Sequence, residues 1–176
     1  MIKILALVLL AATSATTWCQ SNVPNYPERT AVQIRELHDQ ATHLSVFVTV
    51  EAAHRDSQVL LFLRYRNRPG FHLAPSSPDE PPLPRTRDTL PDRDSRSRAL
   101  YKSTWFMNVA IPTPELRPQE IFAVVTETRS KYSSERIRDI AGLERLPFGR
   151  AQDMSEVLLL LQDFGWTPTG FTRAAP

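Results

Sequence analysis

Apolar and polar side chains alternate strictly over residues 44–51. Leu44, Val46, Val48 and Val50 fall on one side, and Ser45, Phe47, Thr49 and Glu51 on the other. Period two with one largely polar side is the signature of a half-buried strand. After a charged and polar gap, a second run puts Val59, Leu61, Leu63 and Tyr65 on one face. Leu60, Phe62, Arg64, Arg66 and Arg68 take the other, which therefore turns from apolar to basic. Nowhere else do two apolar runs lie so close together, so they are expected to be neighbouring antiparallel strands in one wall of a core. Asn67-Arg68-Pro69-Gly70 supplies the turn that ends the second run. Within residues 100–111, Trp105, Met107 and Val109 alternate with Thr104, Phe106 and Asn108, which predicts a third strand. Residues 120–128 predict a fourth, and because both of its faces begin apolar it belongs in the middle of a sheet.

The remaining segments are less periodic. Residues 21–28 carry two prolines and read as an extended lead-in. Over residues 29–37, Ile34 and Leu37 stand three apart with Val32 nearby, which fits a short helix, with a strand over 30–35 as the alternative. Residues 75–97 are proline, serine and mixed charge, and they offer too little apolar surface to offset the entropy of ordering, so a long disordered loop is expected there. Toward the C-terminus, Ser133 or Ser134 could cap a helix reaching residue 143 or 146. Asp153-Met154-Ser155-Glu156 resembles a capping box, and Gly165 would stop the helix it opens. That helix carries Val157, Leu158, Leu161 and Phe164 as a stripe, so it must be buried or bound to something. Residues 167–176 read as a frayed tail. Trp105, Val124 and Leu161 are the expected cover for the face made by Val59, Leu61, Leu63 and Tyr65. These elements define a mainly β fold: an antiparallel β-sandwich with a long Pro-rich disordered loop and a C-terminal helical appendage. In chain order this gives a β domain in two parts, 29–74 and 98–129, interrupted by the loop 75–97 and followed by a helical segment 133–166.

Composition narrows the function. The chain has 176 residues, 41% hydrophobic and 23% charged, with a formal charge of +2, which argues against a nucleic-acid binder that relies on bulk charge. Lys3, an apolar run over residues 4–12, and the small residues Thr13, Ser14 and Ala15 read as a secretory signal within residues 1–19, cleaved after Ala15 or after Cys19. About nine apolar residues fall short of the roughly 20 a bilayer span needs, so no transmembrane segment is expected after removal. Cys19 is the one cysteine, so there is no internal disulfide, and a bond between chains arises only if Cys19 is retained. The fold then rests on its hydrophobic core. These features predict a secreted, extracellular protein.

No motif for catalysis, metal or cofactor accompanies the pattern. His38, His43, His54 and His72 lack ligand spacing and read as surface or packing groups. Asp92 and Asp94 fall in the loop, which cannot hold acid–base geometry. Pro75, Pro78, Pro81 and Pro84 have PxxP spacing and read as linker. Arg64, Arg66 and Arg68 form a basic row at a strand end and are the candidates for contact with an extracellular protein or anionic glycan. Arg93, Arg96 and Arg98 are the candidates for proteolytic processing in an exposed loop.

The succession LSVFVTVE, VLLFLRYRNRPGF, STWFMNVAIP and EIFAVVTET, over about residues 44–128, resembles extracellular strand segments of polycystin-1-like proteins. His43-Leu44-Ser45 also resembles that family's autoproteolytic tripeptide. The cysteines and tryptophans that frame the family's site are missing here, and that activity is not carried over. The resemblance implies an ectodomain-like fragment with an adhesive or ligand-binding role. The sequence thus points to a non-enzymatic extracellular binding module, with a precursor processed in the Pro/Arg loop or a small secreted hydrolase as alternatives.

Overall fold

The computed structural model describes residues 30–74, 84–94, 96–111, 113–127, 142–143 and 145–176. The segment expected to be a secretory signal, Cys19, residues 75–83 and most of the helix expected over 133–146 lie outside the described residues. Among the described residues, eight strands form two antiparallel sheets. One sheet has the order β1 (Ala31–Asp39), β2 (His43–Ala53), β6 (Ala99–Ala110), β5 (Pro84–Arg93). The other has the order β4 (His72–Leu73), β3 (Ser57–Tyr65), β7 (Pro118–Glu127), β8 (Thr167–Ala174). The helix α1 (Met154–Asp163) lies outside the second sheet.

The sandwich core follows from alternation. Leu44, Val46, Val48 and Val50 of β2, with Trp105 and Val109 of β6, meet Val59, Leu61 and Leu63 of β3 and Ile121, Ala123 and Val125 of β7. The opposite faces of β3 and β7 are apolar as well. Leu60, Phe62, Phe122 and Val124 pack under Val157, Leu158 and Leu161 of α1, together with Phe71, Phe148 and Trp166. β3 and β7 are therefore buried on both faces, and β7 sits between β3 and β8, the central place its sequence predicted. Among the described residues, the outer face of the first sheet has no such cover. Phe47 and Phe106 meet there across β2 and β6, with ring centroids 4.8 Å apart.

The helix is bounded as its sequence forecast. Asp153 Oδ1 accepts from Glu156 N at 3.1 Å, while Glu156 Oε2 accepts from Gln152 N at 2.7 Å, one residue earlier than a standard capping box would place it. At the other end Gly165 is left-handed (φ 84°), its N–H bonds Gln162 O, and Trp166 N–H bonds Leu161 O. That is the Schellman closure, and Trp166 and Leu161 share one apolar cluster, as the motif favours. Phe164, expected in the buried stripe, is the C-cap and is exposed.

Several expectations are corrected. β2 and β3 are not neighbours in one wall; they lie in opposite sheets, joined by the connection at residues 54–56. Each has an apolar face, and those faces stack across the core instead of the edges pairing. β3, apolar on both sides, pairs with β7, which matches it. Of the three residues expected to cover Val59, Leu61 and Leu63, Trp105 does so; Val124 and Leu161 lie on the other face, with Leu60 and Phe62. Residues 31–39 form β1, not a helix. Its register against β2 slips between Ile34 and Glu36, so an extra residue separates Ile34 from Leu37 and mimics helical spacing while both still pack on the core.

Residues 84–93, assigned to the disordered loop, form β5. It is an edge strand, so its prolines need not donate to a second neighbour, and Pro84 and Pro91 fall where the register with β6 is interrupted. Residues 167–174, expected to fray, form β8 against β7. Gly170 lets β8 approach β1, since a Cβ there would overlap the Thr30 carbonyl oxygen and come within 3.0 Å of Val32 Cγ2.

Candidate functional site

β3 leaves its sheet at Tyr65, so the arginines do not form a row on one strand. Arg64 lies on β3, while Arg66 and Arg68 belong to the turn that follows, and all three are exposed. Gly70 ends that turn with φ 69°, a left-handed conformation that glycine adopts without strain. It faces Gly149 backbone to backbone: a Cβ on Gly70 would overlap the Gly149 carbonyl. Phe71 N–H donates to Phe148 O at 3.0 Å. The rings of both residues anchor the two loops to the core, Phe71 against Phe122 (5.3 Å) and Phe148 against Phe62 (4.9 Å).

The glycine contact brings a second arginine-bearing loop to the first. Residues 145–150 carry Arg145 and Arg150, both exposed. Arg173 of β8 joins them through the β7–β8 register. Its Nη1 and Arg64 Nη1 each lie 3.3 Å from a Glu120 carboxylate oxygen, so one acid serves two arginines. Arg64 also lies over the Phe71 ring (5.7 Å) and Arg68 over the Tyr65 ring (5.8 Å). Both guanidiniums are thus within cation–π range of a ring, and that of Arg64 also donates to Glu120. Burial raises the Tyr65 pKa against the opposing charge of Arg68. Burial first, then the Arg68 charge, lowers that of His72, against the raising effect of the Pro69 carbonyl, which accepts a hydrogen bond from the His72 ring. The run of three arginines was legible in the sequence. The partners Arg150, next to Gly149, and Arg173 were not, because it is the Gly70–Gly149 contact and the strand register that bring them near.

The opposite end of the sandwich holds a cluster that spacing did not reveal. His54 sits on the β2–β3 connection and touches a carboxylate with each ring nitrogen: Nε2 meets Asp94 Oδ2 at 3.0 Å, and Nδ1 meets Glu127 Oε1. Asp94 is buried. It accepts from Arg98 N and Nε, both at 2.6 Å, and from Arg96 N at 2.9 Å. Burial pushes its carboxyl pKa up, but these donors and His54 outweigh burial and hold it at about 2. Asp94 therefore does hold a fixed geometry, contrary to its assignment to a disordered loop. Arg93, Arg96 and Arg98, the processing candidates, stand in this β5–β6 turn. Arg93 Nη1 bonds Ser97 O at 2.9 Å, and Ser97 N–H bonds Asp94 O at 2.9 Å. The turn is hydrogen-bonded around Asp94 and is not a loose loop.

With each ring nitrogen facing a carboxylate, His54 has neither free to take a proton from a hydroxyl nucleophile. Among the described residues, no group of three or more His, Cys, Asp or Glu is arranged to hold a metal ion, and no helix is long and apolar enough to cross a membrane. Comparison with protein-family models, curated proteins and solved structures gives no match for this chain.

Proposed function

We propose that the chain is a secreted, non-enzymatic binding module that holds a sulfated glycan at the arginine corner. The observation that carries the reading is the Gly70–Gly149 contact, which fixes two arginine-bearing loops side by side next to Arg64 and Arg173. Guanidinium forks match the oxygens of sulfate, and a cluster of them on a rigid frame loses little entropy when it binds. The apolar run behind Lys3 supports secretion, and the likeness to polycystin-1-like strands supports an ectodomain role.

Heparin affinity with a salt gradient tests this. Wild type is retained, and the triple variant Arg66→Ala, Arg68→Ala, Arg150→Ala elutes at clearly lower salt. A control changing Arg55 and Arg85, which are exposed elsewhere, elutes with wild type. Absence of retention, or equal elution of triple variant and control, overturns the reading; capture of acidic protein segments without heparin retention overturns the glycan assignment.

A further inference from the structure

Each end of the sandwich is fastened across the two sheets by charge. At the β1–β2 turn the fastener is Arg117, just before β7, paired with Asp39. A guanidinium stays charged at every physiological pH. At the other end the fastener is His54. It ties Asp94, in the β5–β6 turn of one sheet, to Glu127, at the end of β7 in the other.

Hydrogen-bond bookkeeping decides what this second fastener needs. Ionised carboxylates only accept, and a neutral imidazole has one N–H, whereas an imidazolium has two. Both contacts of His54 are satisfied when each ring nitrogen carries a proton. The cluster is then balanced, since Asp94 and Glu127 face His54 and Arg98; Arg96 contributes its amide, and Arg55 and Asp56 lie beside His54 on the same connection. Loss of one proton sets a nitrogen lone pair against a carboxylate and leaves uncompensated negative charge next to the buried Asp94.

The same end contains groups that gain from opening. Ser57 Oγ, Gln58 Oε1 and Thr126 Oγ1 are buried and without a hydrogen-bond partner among the described residues. Ser57 begins β3 opposite Glu127, and Gln58 stands opposite Thr126, so all three border the His54 contacts. Ala52 and Ser97 flank the cluster in left-handed backbone (φ 59° each), which is strained for residues with a Cβ. The fastener thus holds shut a region that carries both strain and unmet polar groups.

We propose that the His54 end is a pH-operated latch. It is closed while both ring nitrogens are protonated. Once one proton leaves, the β2–β3 connection and the β5–β6 turn separate and water reaches Ser57, Gln58 and Thr126.

Amide hydrogen exchange on the full chain at about pH 5.5 and about pH 7.5 tests it. Protection is expressed relative to each amide's intrinsic rate. The Ser57, Asp94 and Ser97 amides, which bond His54 O, Arg98 O and Asp94 O, lose about tenfold protection at the higher pH, the weight of one charge-assisted hydrogen bond. The Ile111 amide, bonded to Thr42 O at the opposite end, does not change. In His54→Gln the dependence disappears. If that variant does not fold, the ring nitrogen resonances of His54 in the wild type give the second readout, with a titration midpoint matching that of the protection loss. Equal protection at both pH values, a dependence that persists in His54→Gln, or ring titration without loss of protection overturns the latch.

Discussion

Replacing Gly70 with alanine separates two contributions that usually arrive together. The first is backbone conformation: φ at Gly70 is 69°, and an L-residue held there costs about 1–2 kcal/mol. The second is overlap. The added Cβ would lie 2.7 Å from Gly149 Cα and closer still to its carbonyl, where ordinary contact begins at 3.4 Å. The loops must therefore part by at least about 0.7 Å at the Cα alone, which stretches the Phe71 N–H to Phe148 O bond, worth about 1 kcal/mol. The sum is about 2–3 kcal/mol, a large share of the roughly 5–15 kcal/mol that holds a domain together. Two reference variants isolate the causes. Gly165 has φ 84° but open space around its Cβ position, so Gly165→Ala measures conformational strain alone, about 1 kcal/mol. A Cβ on Gly149 meets nothing within 4 Å, so Gly149→Ala should change stability by no more than about 0.5 kcal/mol. Urea denaturation of the three variants gives the ranking, and heparin retention should fall in Gly70→Ala alone. If Gly70→Ala costs no more than Gly165→Ala, the overlap is relieved elsewhere and the rigid juxtaposition of the two arginine loops is refuted.

Leu161→Ala removes a fully buried side chain from beneath α1 and should cost about 3–4 kcal/mol, whereas Leu159→Ala, at a position 54% exposed, should stay within about 0.5 kcal/mol; similar urea midpoints would contradict the docking of the helix. Asp153→Ala deletes the oxygen that receives Glu156 N and should lower stability by about 1 kcal/mol, read as a drop in melting temperature followed by helical circular dichroism. Asp94 binds its proton less readily folded than unfolded, since its carboxyl is held at about 2 against 3.8. Its contribution is therefore complete above about pH 4 and disappears as the pH falls toward about 2. Denaturation midpoints followed down this range should fall more steeply for wild type than for Asp94→Asn, and parallel curves would show that the carboxylate does not carry the effect.

What could be read from the sequence was whatever depends on near neighbours. The alternation of Leu44 to Val50 and of Trp105 to Val109, and the Asp153 cap with its Gly165 stop, all reappear in three dimensions. The sorting of strands into sheets was not legible, because Leu60 and Leu61 are equally apolar and only the presence of α1 on one side tells the two faces apart. β1 was hidden by a bulge that gave its apolar residues helical spacing, and β5 by prolines that an edge strand tolerates at its irregular points. The sites divide in the same way. Arg64, Arg66 and Arg68 are consecutive in pattern, but His54 meets partners 40 and 73 residues away, and no local signal announces contacts of that span.

The close approach of Gly170 to Thr30 bears on the order of events during synthesis. A chain emerges N-terminal end first, and β1 can find its partner β2 early. The flank of β1 beside Thr30 and Val32 waits for β8, which follows every other described strand. The seam between the first and last strands is thus a late and distant contact, of the kind that slows folding. Until β8 docks, β7 also lacks one of its two hydrogen-bonded neighbours, so a nascent chain stalled before residue 167 exposes one open edge of an apolar strand, the kind of edge that templates aggregation.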